Sequence, residues 1–280
     1  MNDRRIYRVT SIGRPLDPSY RTNLAVLVLM PVAALVAAVA AAIRGDGFGA
    51  MAAQALVGPA AAFGAWALAR ELAPDDNPAA FVSMVLALAV SLTVASPSLL
   101  LLFATLGMVR IVNRTVGLPT RLTDSLLVLG LVLATAWITR SPVLPVVAAV
   151  AFALDASLDD GTRRQLAFAV LALIGTAVAL GVVDSGTESH TLPVATGALI
   201  GIVSVGFGIA IARTRRVSSV ADATGQPLSV NRVRAGMFIG LLVAVQAALV
   251  GTEGLELSAL VWATLAGVAV GGLRRRERSQ

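Results

Sequence analysis

The chain has 280 residues, of which 57% are hydrophobic and 14% are charged, and its mean hydropathy is +0.83. A soluble domain usually carries about 25% charged residues, so this composition excludes a soluble globular enzyme, a disordered protein and a fibrous repeat. The absence of cysteine and lysine excludes disulfides, thiolate chemistry and lysine Schiff bases. The net charge of +6 indicates cytoplasmic loops of a membrane protein rather than nucleic-acid binding.

Long apolar runs, taken in chain order, predict a bundle of transmembrane helices. The first run follows a polar tail over residues 1–22 and is longer than the apolar region of a signal peptide, so we expect a retained signal anchor. Ten helices are predicted, at 23–43, 48–70, 80–95, 98–113, 123–139, 142–156, 165–183, 191–212, 235–251 and 257–273. Those in the hairpins 80–113 and 123–156 are short, and fusing their members would leave eight or nine spans. The predicted fold class is all-α, with one transmembrane domain over 23–273.

The arginines orient the predicted helices. All but two of the 22, Arg44 and Arg140, fall in or beside the tails 1–22 and 274–280 and the loops 70–79, 113–122, 156–164 and 213–234. The positive-inside rule makes these segments cytoplasmic, so we expect both termini on the cytoplasmic side of the cell membrane. The predicted outer loops contain acidic residues and the histidine: Asp46, Asp184, Glu188, His190, Glu253 and Glu256.

Two pairs of glycines four residues apart point to close helix packing. The pairs are Gly197 with Gly201 and Gly267 with Gly271, and small residues at this spacing let helix backbones approach each other. Each pair indicates either a homo-oligomer contact or packing within one bundle. The basic loop 213–234 is predicted as either a solvated loop or a contact with anionic lipid head groups or a partner.

Two acidic motifs carry the strongest functional hypothesis. An acidic residue followed four and five positions later by aspartate occurs after the second and after the sixth predicted helix, with a shift of 84 residues. Carboxylates of this kind on neighbouring helices would hold Mg²⁺ through oxygen ligands. The candidate metal ligands are Glu71, Asp75, Asp155 and Asp159, with Asp76 and Asp160 as weaker members. Asp155 is the best single candidate because it ends the apolar run 146–154, where an unpartnered carboxylate is expensive.

Basic and amide side chains lie between the two motifs. Arg110, Asn113 and Arg114 are the candidate substrate-binding residues, because arginine binds phosphate oxygens in pairs. Arginines beside Mg²⁺ would suit a lipid diphosphate whose apolar tail lies between helices. A structural alternative is that Asn77 caps the third helix and that the aspartates favour the positive ends of helices.

Acidic motifs after the second and sixth helices resemble those of the UbiA-type membrane prenyltransferase superfamily. Three further pieces are similar to that family: Gly13-Arg14-Pro15, Asn113-Arg114-Thr115 and the spacing of Asp155 and Asp159. The resemblance covers about residues 13–165 and implies a helical bundle that uses Mg²⁺ to bind a prenyl diphosphate and transfer its prenyl chain. Two hypotheses stand beside it: a secondary transporter of apolar cargo and a non-catalytic membrane protein.

Overall fold

The computed structural model describes residues 3–182 and 192–278, and the fold over these residues is all-helical. A 3-10 helix over Asp3–Arg8 precedes ten α-helices. The α-helices are α1 Arg21–Ile43, α2 Phe48–Leu72, α3 Asn77–Thr93, α4 Leu99–Asn113, α5 Leu122–Ile138, α6 Leu144–Ser157, α7 Gln165–Val182, α8 Val194–Arg213, α9 Val230–Ala248 and α10 Thr252–Arg278. The prediction of ten helices is therefore confirmed for the described residues, whereas the prediction that all ten cross a membrane stays a prediction. The predicted outer-loop residues Asp184, Glu188 and His190 lie outside the described residues.

The ends of α9, α10 and α3 differ from the prediction, and α10 begins at Thr252, five residues earlier than expected. Helix α9 begins five residues earlier than expected because the side chain of Ser229 accepts the backbone N–H of Arg232 and caps the helix. Helix α10 continues to Arg278 where a tail was predicted. Asp76, not Asn77, caps α3, since its carboxylate accepts the backbone N–H of Ala79 at 3.1 Å.

Five of the described helices are long and apolar enough to cross a membrane: α1, α2, α8, α9 and α10. The other five are apolar but shorter. Large hydrophobic side chains also cover much of the outer surface, among them Leu35 on α1, Leu180 on α7 and Ile202 on α8, each more than 60% exposed. A soluble protein rarely presents so much contiguous apolar surface. Such a surface suits a lipid environment.

Helix α4 lies at the centre of the bundle, in contact with α2, α5, α6 and α9. Helix α10 packs along α3 through its two glycines. A Cβ atom at Gly267 would lie 2.2 Å from the hydroxyl of Ser83, and one at Gly271 would lie 2.5 Å from the Cβ of Ala79. This glycine face is therefore filled within one chain. On α8, by contrast, nothing lies within 4 Å of a Cβ built at Gly201.

The polar residues of the two acidic motifs lie at one end of the bundle. The C-terminal ends of α2, α4 and α6 meet there with the N-terminal ends of α5 and α9. The segment before α1 crosses this end, because the hydroxyls of Thr10 and Ser11 donate to the carboxylate of Asp124 at 2.8 and 2.6 Å. The tail predicted over 1–22 is thus docked against the bundle. We call this region the polar end.

Candidate functional site

Glu71, at the C-terminal end of α2, is the centre of the first polar cluster. Its Oε1 atom accepts from Arg14 at 3.3 Å and from Arg110 at 3.1 Å, and its Oε2 atom accepts from the hydroxyl of Thr115 at 2.7 Å. The carboxylate is fully buried, so these donors replace the water that it loses on folding. We call these four residues the Glu71 cluster. It joins the N-terminal segment, α2 and α4.

Asp155, at the C-terminal end of α6, is the centre of a second cluster. Arg114 donates to both carboxylate oxygens, at 2.7 and 3.0 Å, in the paired geometry that arginine makes with carboxylates. Arg232 donates to Oδ1 at 2.9 Å, and the hydroxyl of Thr120 donates to Oδ2 at 3.2 Å. We call these four residues the Asp155 cluster. It joins α4, α6 and α9.

The two clusters have the same composition and share α4. Each consists of one buried carboxylate, one arginine from the end of α4, one arginine from a distant segment and one threonine. The weak repeat in the acidic motifs therefore extends to the partners of Glu71 and Asp155. In both clusters the arginines neutralise a buried carboxylate at the end of a helix.

The backbone around the Asp155 cluster is left-handed at two residues that are not glycine. Arg114 ends α4 with φ +50°, and Asp160 has φ +58°. This conformation usually favours glycine, and a side chain there costs about 1–2 kcal/mol. At Arg114 it lets one guanidinium reach both the carboxylate of Asp155 and the backbone carbonyl of Asp160, the latter at 2.7 Å. The ion pairs and hydrogen bonds offset that strain.

The remaining acidic residues of the motifs do not join either carboxylate. Asp75 lies between α2 and α3 and accepts the backbone N–H groups of Ser218 and Ser219, both at 2.8 Å, in the long connection before α9. Asp76 caps α3, as described above. Asp159 and Asp160 contribute backbone carbonyls, to Arg232 and Arg114 respectively. The spacing of the motifs therefore places the six carboxylates in different surroundings.

These contacts do not fit the predicted Mg²⁺ site. Both oxygens of Glu71 and both oxygens of Asp155 already accept hydrogen bonds from charged or hydroxyl donors. Among the residues that the structure describes, no group of three or more His, Cys, Asp or Glu side chains could hold a metal ion. A cation would have to displace arginines that are held in place by other contacts. We therefore derive no chemical step through Mg²⁺.

A cavity of about 710 Å³ opens beside the Glu71 cluster. Its polar side contains three guanidinium groups, from Arg14, Arg70 and Arg110, and its apolar side contains the rings of Phe63 and Trp66. These two rings stack with their centroids 5.9 Å apart. The cavity also contains carboxylates, from Asp17, Glu71 and Asp222. It combines a polar region of three arginines and three carboxylates with an aromatic wall.

Arg70 is the guanidinium in this cavity without a carboxylate partner among the described residues. It donates to the side chain of Asn77 and lies 5.9 Å above the ring of Trp66. Arg14 and Arg110 share Glu71, and Arg14 also forms a paired contact with Asp222 at 2.6 and 3.0 Å. The lining thus has three arginines and three carboxylates, and Arg70 is the arginine that an anion could reach without breaking a direct ion pair.

Arg14 and Asp75, both outside the helices, have shifted pKa values. Burial disfavours the charged form of Arg14, but Glu71 and Asp222 outweigh that effect and hold its pKa above the ordinary arginine value. Burial likewise opposes ionisation of Asp75, but the hydrogen bonds from Ser219 and Ser218 prevail and keep its pKa below the ordinary value. Both groups are fully charged at neutral pH.

The predicted substrate-binding residues separate into two roles. Arg110 lines the cavity, whereas Arg114 is buried in the Asp155 cluster. Asn113 donates to the backbone carbonyl of Glu71 at 2.7 Å and packs against Gly236 of α9, where a Cβ atom would lie 1.9 Å from its Oδ1. It therefore joins helices and lies outside the cavity lining.

Sequence reasoning missed several members of the two clusters. Arg232 was predicted to lie in the basic loop 213–234, yet its side chain is 6% exposed. Arg14 and Thr115 were named only through the family resemblance, and Thr120 was not predicted. Asp222, the second partner of Arg14, was not predicted either. Arg232 lies three residues after Ser229, a residue type that favours helix N-caps. This spacing could have predicted that Arg232 lies in the first turn of α9.

No model of a known protein family, no curated protein and no solved structure matches this chain. The contacts of the two clusters and the cavity therefore carry the functional argument on their own.

Proposed function

We propose that the chain is a multi-pass protein of the cytoplasmic membrane that binds the anionic head group of an amphipathic lipid in the cavity beside Glu71. The polar end would face the cytoplasm, with both termini on that side. The observation that carries the proposal is the set of Arg14, Arg70 and Arg110 around one cavity, with Arg70 lacking a carboxylate partner among the described residues. Guanidinium groups bind phosphate oxygens in pairs, which makes a phosphate or diphosphate the expected head group.

The surroundings of the arginines support a lipid rather than a small soluble anion. Phe63 and Trp66 line the same cavity and lie on α2, one of the helices long enough to cross a membrane. An aromatic wall next to a cationic region matches a ligand with an apolar chain and a charged end. The apolar outer surface of α1, α7 and α8 supports a membrane location for the whole bundle.

Catalysis is not required for this function. Transfer of a prenyl chain, as the resemblance to the UbiA-type superfamily implies, stays a prediction, and so does the use of Mg²⁺. The arginine partners of Glu71 and Asp155 favour binding without a metal. The experiment below therefore includes both conditions.

The test is the binding of farnesyl diphosphate to purified full-length protein in lipid nanodiscs, measured by calorimetry with and without Mg²⁺. Farnesol, which has the same tail and no anionic group, is the matched ligand. We expect farnesyl diphosphate to bind and farnesol to bind at least tenfold more weakly. Because a hydrogen bond to a charged group contributes about 1.5–3 kcal/mol, Arg70→Gln is expected to weaken diphosphate binding by about tenfold or more.

Arg163→Gln is the control, since Arg163 is exposed beside α7 and does not line the cavity. It removes the same charge from the polar end and is expected to change binding less than twofold. Equal binding of farnesol, or equal losses in the two variants, would contradict the proposal. Binding that appears only with Mg²⁺ would instead favour the metal-dependent transferase.

A further inference from the structure

A second cavity lies at the polar end, away from the Glu71 cluster. It has a volume of about 380 Å³ and is enclosed by the C-terminal ends of α8 and α10, the beginning of α9 and the connection between α2 and α3. Its inner wall is apolar and consists of side chains that are almost fully buried, including Leu72, Val233, Met237 and Val268. Because α8 is long and apolar enough to cross a membrane and ends at Arg213, this cavity lies where a span would leave the apolar layer.

The charged groups around this cavity are of both signs. Arg213 and Arg216 contribute the positive charges, and they come from the end of α8 and the connection that follows it. Asp75 contributes a negative charge from the connection between α2 and α3, with Asp76 beside it. Among the described residues, no ion pair joins Arg213 or Arg216 to a carboxylate. The cavity thus presents two arginines and the carboxylate of Asp75, which form no ion pair with one another.

Asp75 is fixed in its charged form. Its Oδ1 accepts the backbone N–H and the hydroxyl of Ser219, at 2.8 and 2.6 Å, and its Oδ2 accepts the backbone N–H of Ser218. A carboxylate has about four acceptor positions, and these three hydrogen bonds leave room on Oδ2, beside the hydroxyl of Ser218, for a further donor.

We infer that this cavity binds a membrane phospholipid whose head group carries both a phosphate and a primary ammonium, as phosphoethanolamine lipids do. The phosphate binds Arg213 and Arg216, and the ammonium donates to Asp75. The apolar inner wall receives the beginning of an acyl chain. This site is separate from the cavity beside Glu71 and needs only that the chain lies in a membrane.

The mixture of charges selects this head group over two common alternatives. A purely anionic lipid would satisfy the arginines and place its second polar group against Asp75 without an opposite charge. A choline head group carries a positive charge but has no N–H to donate to a carboxylate. A dipolar head group with an N–H donor satisfies both sides at once.

The test is native mass spectrometry of full-length protein from nanodiscs that contain equal parts phosphatidylethanolamine, phosphatidylcholine and phosphatidylglycerol with identical acyl chains. We expect phosphatidylethanolamine to be retained at least threefold more often than either competitor. Arg213→Gln with Arg216→Gln is expected to abolish this preference. Arg215→Gln is the matched control, because Arg215 is exposed between them and does not line the cavity.

Asp75→Asn tests the binding of the ammonium group separately from that of the phosphate group. Removal of the negative charge is expected to shift retention from phosphatidylethanolamine toward phosphatidylglycerol. Ser219→Ala controls for loosening of the connection, since it removes one hydrogen bond to Asp75 and leaves the charge in place. We expect it to preserve the lipid preference.

Retention of all three lipids in equal amounts would overturn the inference, and so would losses with Arg215→Gln as large as with the double variant. A preference for phosphatidylglycerol in the unmodified protein would overturn it as well. None of these variants alters the arginines beside Glu71, so binding of farnesyl diphosphate in the same samples reports separately on the proposed function.

Discussion

The Glu71 and Asp155 clusters have the same kinds of members but different access to solvent. Both carboxylates are fully buried, yet the arginines around Glu71 are 21% and 19% exposed, whereas those around Asp155 are 7% and 6% exposed. The first cluster borders a cavity, and the second is enclosed by α4, α6 and α9. The difference indicates that the Asp155 cluster holds helices together, while the Glu71 cluster also presents charge to a ligand.

The largest expected effect is at the enclosed cluster. Asp155→Asn would leave the guanidinium groups of Arg114 and Arg232 buried without a carboxylate. Breaking a buried ion pair by removing one partner costs about 3–5 kcal/mol, so we expect the free energy of unfolding to fall by about that amount. The measurement is unfolding in mixed micelles followed by far-ultraviolet circular dichroism. A loss below about 1 kcal/mol would mean that the cluster is not a structural link.

A smaller effect is expected at the open cluster. In Glu71→Gln the exposed ends of Arg14 and Arg110 gain water, and Arg14 keeps its contact with Asp222. We expect a loss of about 1–3 kcal/mol in the same unfolding experiment, together with altered binding of farnesyl diphosphate. Asp155→Asn serves as the comparison, because the amide replaces a carboxylate in both cases. Equal losses in stability would remove the distinction between the clusters.

The smallest expected effect is the loss of stability when the threonine of each cluster is replaced. Thr115→Val and Thr120→Val each remove one hydroxyl that donates to a buried carboxylate, at 2.7 and 3.2 Å, while preserving side-chain shape. A hydrogen bond of this kind contributes about 1 kcal/mol, and the shorter one is expected to contribute more. Thermal unfolding of the two variants in one detergent would rank them. The reverse order would show that distance does not set their contribution.

The helices were predictable because composition and periodicity act locally. Apolar runs of the length needed to span a membrane, interrupted by Ser-Pro and charged stretches, placed ten helices within a few residues of their observed positions, except at the start of α9 and both ends of α10. The site was less predictable because it depends on which distant side chains meet. The sequence identified Glu71, Asp155, Arg110 and Arg114 as special, but it could not reveal that arginines would occupy the carboxylates.

The prediction for Arg232 was wrong because its charge was considered without its partner. Arginine at 232 looks solvated when considered alone, and its burial becomes favourable only through Asp155, which lies 77 residues earlier. The sequence did not reveal this compensation, since carboxylates at regular spacing are as compatible with cations on other helices as with a bound ion. The use of Mg²⁺ stays a prediction. The membrane orientation, lipid ligand and oligomeric state stay predictions. Of the two glycine pairs, the one on α8 has open space around it.

The segment before α1 has a consequence for biosynthesis. Arg14 binds Glu71, 57 residues later, and Asp222, 208 residues later, while Ser11 binds Asp124, 113 residues later. Closing such long loops requires most of the chain to be present. This early-synthesised strap therefore reaches its final position only after the connection between α8 and α9 has left the ribosome. Until then Arg14 has one of its two carboxylates, and the completion of the head-group region is a late event in the maturation of the protein.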